Sequence, residues 1–183
     1  MKRMNNRHHL AALVATAAAL AAALAAAPAA QAAAVTLAPV AISAPLQSDL
    51  SKKYGVDEGA VLTQEVSERV GRELKAAGAT LADGAPVRIE MSIESAVPTH
   101  PTRWQLQQNP SLDYLRSISR GGARLTAVLR GANGQELERV EFDRYAPTLH
   151  EASMSGGAWG DADRAIEGFA SAVAKAWQRH AAG

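Results

Sequence analysis

The chain contains no cysteine. That excludes disulfides and thiolate metal ligands, and it leaves no thiol near the N-terminus for a lipid to be attached to. Reaction signatures are missing as well. There is no G-x-S-x-G elbow, no S-x-x-K and no H-E-x-x-H. The glycine-rich G-G-A-W-G at 156–160 lacks the lysine and the preceding strand of a phosphate-binding loop. Ser153 and Ser155 lie close to His150 in sequence, but a nucleophile needs an oriented base, and this spacing supplies none. The composition therefore points away from an enzyme, and no cofactor is expected.

Basic charge in excess is also lacking, once the N-terminus is taken into account. Lys2, Arg3 and Arg7 open a start without acids, and LAALVATAAALAAALAAA (10–27) follows as one apolar run. Pro28 breaks it, and Ala30-Gln31-Ala32 is the small-x-small pattern read by a signal peptidase. The alternative, a retained anchor, has only eighteen weakly hydrophobic residues with which to span a bilayer. Residues 1–32 are read as a signal peptide cut after Ala32. With no twin-arginine pair, the general secretory route is expected, and so is a periplasmic location. The remaining 33–183 is read as one domain without a transmembrane segment. Three of the 19 basic residues leave with the leader while all 18 acidic ones stay, so the formal charge moves from +1 to about −2. Nucleic-acid binders carry a basic patch or stripe, and none is evident here.

Periodicity then gives the elements. VTLAPVAIS (35–43) is a short β-branched strand, demoted by Pro39 to an edge or bulged position. Residues 44–59 read as a loop. From Asp57 to Ala77, Leu62, Val66, Val70, Leu74 and Ala77 form one helical stripe, which Gly78 ends. Val87–Val97 alternates without error, with Val87, Ile89, Met91 and Ile93 on one face. Leu125, Ala127 and Leu129 repeat the pattern, and Gly131-Ala132-Asn133-Gly134 turns the chain into a strand bearing Val140 and Phe142. Ile166, Phe169, Val173 and Trp177 stripe a last helix over 161–180. The fold class is α+β: a two-layer β-α-β-β-β-α sandwich, with a four-stranded, mostly antiparallel sheet and two helices on one face.

That order places the long connections 98–122 and 146–160 on one rim of the sheet and the short turn on the other. Connections this long are often functional. The 98–122 segment is read as an ordered flap in which Asn109 caps, and Pro110 starts, a short helix SLDYLRSIS. Its candidate binding surface comprises Trp104, Tyr114, Arg116, His100, His150 and Trp159, because aromatic and arginine side chains dominate binding hot spots. Solvated loop histidines are favoured over a metal site built from His100 and His150 with Asp113 or Glu151, since neither zinc spacing nor a cysteine ligand is present. The alternative for the aromatics is packing, with Trp104 and Tyr114 pinning the flap and Trp159 covering the start of the last helix.

The strand after the leader, the GGARLTAVLRGANGQELERVEF hairpin (121–142) and the closing GAWGDADRAIEGFASAVAKAW segment (157–177) resemble a group of uncharacterised bacterial periplasmic proteins. These are similar to outer-membrane lipoproteins of unknown-function families and, more distantly, to the auxiliary lipoprotein of lipid-transport ABC systems. The missing lipidation cysteine is a departure from that group. The resemblance is structural and carries over no catalytic residues. Export, the lack of a reaction motif and the aromatics gathered at one end lead to the expectation of a non-enzymatic envelope protein that binds a partner protein or envelope component through the loop-bearing end. A small ligand or lipid in the groove between flap and sheet is the alternative. The exported protein should begin at Ala33; an intact mass that still includes residues 1–32 would overturn the leader assignment.

Overall fold

The computed structural model describes residues 33–152 and 156–181. The leader assignment falls outside them. Strands β1 (Ala34–Leu37) and β2 (Ala41–Ile42) come first, then helix α1 (Ala44–Asp49), a π-turn over Leu50–Tyr54 and helix α2 (Glu58–Ala76). Strands β3 (Thr80–Leu81) and β4 (Val87–Val97), helix α3 (Arg103–Gln108), strands β5 (Gly122–Arg130) and β6 (Glu136–Tyr145) and helix α4 (Gly160–Ala181) follow. The sheet is mixed, in the order β3-β1-β4-β5-β6, with β2 also pairing with β4. β1 runs parallel to β3 and β4, and β4, β5 and β6 form an antiparallel meander.

The α+β class holds, but the four-stranded sheet with two helices does not. The described residues make six strands and four helices. Pro39 marks a break, after which the two-residue β2 pairs only with β4. β1, before the break, lies inside the sheet between β3 and β4. The segment expected as a loop after it is helical. Ser43 caps α1 by accepting from the Leu46 N–H, a proline occupies the first turn, and Leu46 and Leu50 are buried four residues apart. A solvated loop could not bury those two leucines together.

The long elements are where periodicity placed them. Val35, Ile89, Met91, Ile93, Leu125, Ala127, Leu129 and Val140 point from the sheet onto Leu62, Val66, Val70 and Leu74 of α2 and Ile166, Phe169, Val173 and Trp177 of α4. Each large apolar side chain so buried contributes on the order of 1.5–3 kcal/mol. The Trp177 indole N–H finds no acceptor among the described residues, so the ring is retained for its packing area. On the opposite face, charges are matched across strands. Arg130 Nε donates to Glu90 at 2.8 Å, and Arg124 Nε donates to Asp143 at 2.8 Å. These exposed pairs set register more than stability.

Where the two long helices meet, Asp163 of α4 faces the Glu65–Arg69 pair of α2, whose closest atoms are 2.6 Å apart. Partial burial, with a smaller push from Glu65, raises the Asp163 carboxyl from 3.8 to about 6. The folded protein therefore keeps a proton that the unfolded chain has already lost, and stability falls as pH climbs from about 4 to 6. A shift of that size corresponds to about 3 kcal/mol, which solvent screening of a half-buried group reduces to about 1 kcal/mol. Asp163→Asn should be more stable than wild type by about 1 kcal/mol at neutral pH, and the difference should vanish below about pH 4 in denaturant titrations.

Candidate functional site

β4 ends at Val97 opposite Gly122, where β5 begins, and Gly122 is opposite Tyr145, where β6 ends. Both long connections therefore leave from the same rim, and the Gly131–Gln135 turn closes the other. The rim is built around Pro98-Thr99-His100-Pro101-Thr102, every residue of which is buried. Buried backbone and hydroxyl groups need partners, and this strap has them. The Thr99 N–H donates to the Ala158 carbonyl at 2.7 Å, and its hydroxyl donates to Asp161 Oδ2 at 3.0 Å while accepting from the Asp161 N–H at 3.1 Å. The Ser119 N–H returns to the Thr99 carbonyl at 2.8 Å, which closes the flap onto the strap.

The flap helix is not where the sequence suggested. SLDYLRSIS forms turns, and α3 occupies 103–108 instead. Thr102 and Gln105 make a reciprocal capping box, with the Thr102 hydroxyl accepting from the Gln105 N–H and the Gln105 side chain accepting from the Thr102 N–H. Asn109 does act locally, but as a turn residue, its side chain accepting from Ser111. Asp113 then accepts from the Leu115 and Arg116 N–H groups, both at 2.9 Å, and projects that tip outward.

The six candidate residues separate into two sets. His100 is 3% exposed; its Nδ1 donates to the Tyr114 carbonyl at 2.9 Å, and its ring stacks on Tyr114 at 5.0 Å. That bond makes Nε2 the lone-pair nitrogen of the neutral ring. Trp159 is buried, donating from Nε1 to Glu58 at 2.6 Å and meeting Tyr54 edge-on at 5.7 Å. Trp104 is half-buried and backs onto Gly55 so closely that a Cβ at Gly55 would lie 2.9 Å from its own. These three hold the rim together. Tyr114, Arg116 and His150 are exposed. Among the described residues no three His, Cys, Asp or Glu side chains are grouped to hold a metal ion.

Of the exposed apolar surface that results, sequence reasoning had singled out Tyr114 alone. Among the described residues the exposed large apolar side chains are Val56, Val61, Tyr114, Leu115 and Leu149. Val56 and Val61 flank the start of α2, Tyr114 and Leu115 form the flap tip, and Leu149 lies in the second connection, so all five belong to this rim. Val56, Leu115 and Leu149 stand singly in loops and Val61 lies off the buried stripe of α2, so none of the four gives a periodic signal. Beneath the flap is a cavity of about 390 Å³, with Tyr54, Pro98, His100, Gln105, Leu112 and Ile118 in its walls. Among the described residues no helix is long and apolar enough to cross a membrane.

No family model matches the chain, and no curated protein matches it. Solved structures do. A PelC dodecamer from Paraburkholderia phytofirmans is 12% identical over 77% of this chain and 86% of that one, with a TM-score of 0.46. A Xanthomonas campestris protein of the DUF330 family is 11% identical over 85% and 93%, at 0.48. A minor lipoprotein from Acinetobacter baumannii is 11% identical over 81% and 94%, at 0.37. Likeness at this level carries no functional argument.

The close approach of flap to strap requires Gly121, where a Cβ would fall 2.3 Å from the Thr99 hydroxyl and 2.9 Å from its backbone nitrogen. Neither atom can retreat without breaking the Asp161 or Ala158 bond. Gly121→Ala should cost about 2–3 kcal/mol in equilibrium unfolding, and a change below about 0.5 kcal/mol would show that flap and strap are not tightly joined.

Proposed function

We propose that this is a non-enzymatic, exported protein of the cell envelope that binds a partner protein through its loop-bearing rim. The observation that carries the reading is the collection of Val56, Val61, Tyr114, Leu115 and Leu149, all at least 40% exposed, at one end of the sheet. Exposed apolar side chains scattered singly need no explanation, whereas a group confined to one rim is a feature of interaction sites. Tyr114 and Arg116, both exposed on the flap tip, are of the residue types enriched at binding hot spots. Arg120 reaches the Pro147 carbonyl at 3.1 Å, tying one connection to the other, so the surface is presented by fixed backbone.

A second reading has its own observation. The cavity under the flap combines apolar residues with Gln105, Ser117, Ser119 and one buried imidazole, and its volume of about 390 Å³ is within the range of small-ligand sites. In that reading a small amphipathic molecule binds there, with its polar end at His100.

In-cell photo-cross-linking separates the two. A cross-linker placed at Leu115 should capture a discrete partner, and Tyr114→Ala with Arg116→Ala should remove that adduct while leaving stability within about 0.5 kcal/mol, as exposed substitutions do. Adducts that persist unchanged in the double variant would contradict the rim assignment. A co-purified small molecule in native mass spectrometry, lost on His100→Ala, would favour the ligand reading instead.

A further inference from the structure

The antiparallel half of the sheet ends on β6, ten residues long, with no strand on its far side among the described residues. The other border is closed by the two-residue β3. The Ala146 N–H donates to the Gly121 carbonyl at 2.9 Å, continuing the β5–β6 register. Hydrogen-bonded pairs alternate along an antiparallel ladder. Glu138, Val140, Phe142 and Arg144 therefore turn their backbone groups toward β5, and Arg139, Glu141 and Asp143 turn theirs to the open border.

Edge strands that carry many charges usually repel further pairing. Here the charges have a sign pattern that does the opposite for one particular occupant. From 138 to 144 the chain reads Glu, Arg, Val, Glu, Phe, Asp, Arg. When a second copy is turned about a twofold axis through Glu141, perpendicular to the sheet, Glu138 faces the other copy's Arg144, Arg139 faces its Asp143 and Val140 faces its Phe142, each twice. The same axis brings the open backbone groups of residues 139, 141 and 143 opposite one another and keeps both helical layers on the same side. Moving the axis to Val140 keeps the Arg139–Glu141 and Glu136–Arg144 charge pairs but sets Glu138 opposite Phe142 and Leu137 opposite Asp143.

We propose that β6 is a self-complementary edge on which a second copy of this chain docks antiparallel, centred on Glu141, to continue the sheet across the dimer. Glu141 is the one position where like charge meets like, so the contact is reversible and sensitive to that residue. The Glu138 carboxylate, already held by Arg179 and by His180 at 3.0 Å, gains the Arg144 guanidinium of the second copy as a further partner.

The absence of native cysteine makes the axis directly testable. Residues opposite each other in a hydrogen-bonded antiparallel pair have Cα atoms about 5.5 Å apart, within reach of a disulfide. Under mild oxidation Glu141→Cys should form a covalent dimer, while Thr126→Cys, on the same face but one strand inward, should not. Adding Arg139→Glu to Glu141→Cys should slow cross-linking roughly ten-fold or more, because two attractive pairs become repulsive. Mixing that chain with one carrying Asp143→Arg and Glu141→Cys should restore it. Circular dichroism melts confirm that each variant is folded. A Glu141→Cys protein that stays monomeric at millimolar concentration, cross-links no faster than Thr126→Cys, or ignores Arg139→Glu would overturn the proposal.

Discussion

Thr99 and Asp161 exchange two hydrogen bonds in a largely buried part of the protein, and the rim depends on that exchange. Asp161 is in the first turn of α4, where backbone N–H groups have no partner within the helix. The Thr99 hydroxyl satisfies one of them and at the same time donates to the Asp161 carboxylate at 3.0 Å. Because the strap from 98 to 102 is buried throughout, each of its polar groups must be satisfied inside the protein. Ala158 takes two of its N–H groups, and the Thr102 hydroxyl donates to the Tyr54 carbonyl at 2.6 Å. The strap thus joins the start of α4, the turn before α2 and the flap.

A clamped interior allows an apolar exterior. Side chains that would otherwise be expected in a core, such as Leu115 at 68% exposed and Val56 at 69%, stand on backbone held from beneath. In the proposed role, their entropy loss on binding would be smaller than on a mobile loop, because much of the ordering is already done by folding. The outer face of the sheet behaves differently. There Arg124–Asp143 and Arg130–Glu90 neutralise one another across strands, leaving a solvated surface with little apolar area. The rim and the β6 border are consequently distinct surfaces, one apolar with arginine and one built from backbone and alternating charge.

Much of this was legible from sequence where the signal is periodic. The stripe Leu62–Val66–Val70–Leu74 and the alternation of Val87–Val97 each have one physical interpretation, and both are realised. The common rim followed from strand direction alone. What escaped was local chemistry competing with local chemistry. In the flap, Asn109-Pro110 and Thr102-x-x-Gln105 both announce a helix start, and the capping box prevailed because it satisfies two donors reciprocally and Thr102 is also tied to Tyr54. α1 was obscured by Pro45 and by Lys52-Lys53, although Ser43 before a proline and Leu46–Leu50 at a spacing of four were the available signs. β3 is two residues long and shows no period. At the candidate site, residue type did not tell which way each ring faces: His100 and Trp159 turn inward, where each has a partner, the Tyr114 carbonyl and the Glu58 carboxylate.

The claim on which the account rests is that the rim is ordered by its buried strap rather than draped over the sheet. Backbone hydrogen exchange at Thr99, His100, Ser119 and Ala146 reads it most directly, since each of these amides donates to a specific carbonyl. The account predicts protection close to that of the β4 and β5 amides, with opening only in global unfolding. Exchange of these four amides at the rate of exposed loop positions such as Leu149 would contradict it.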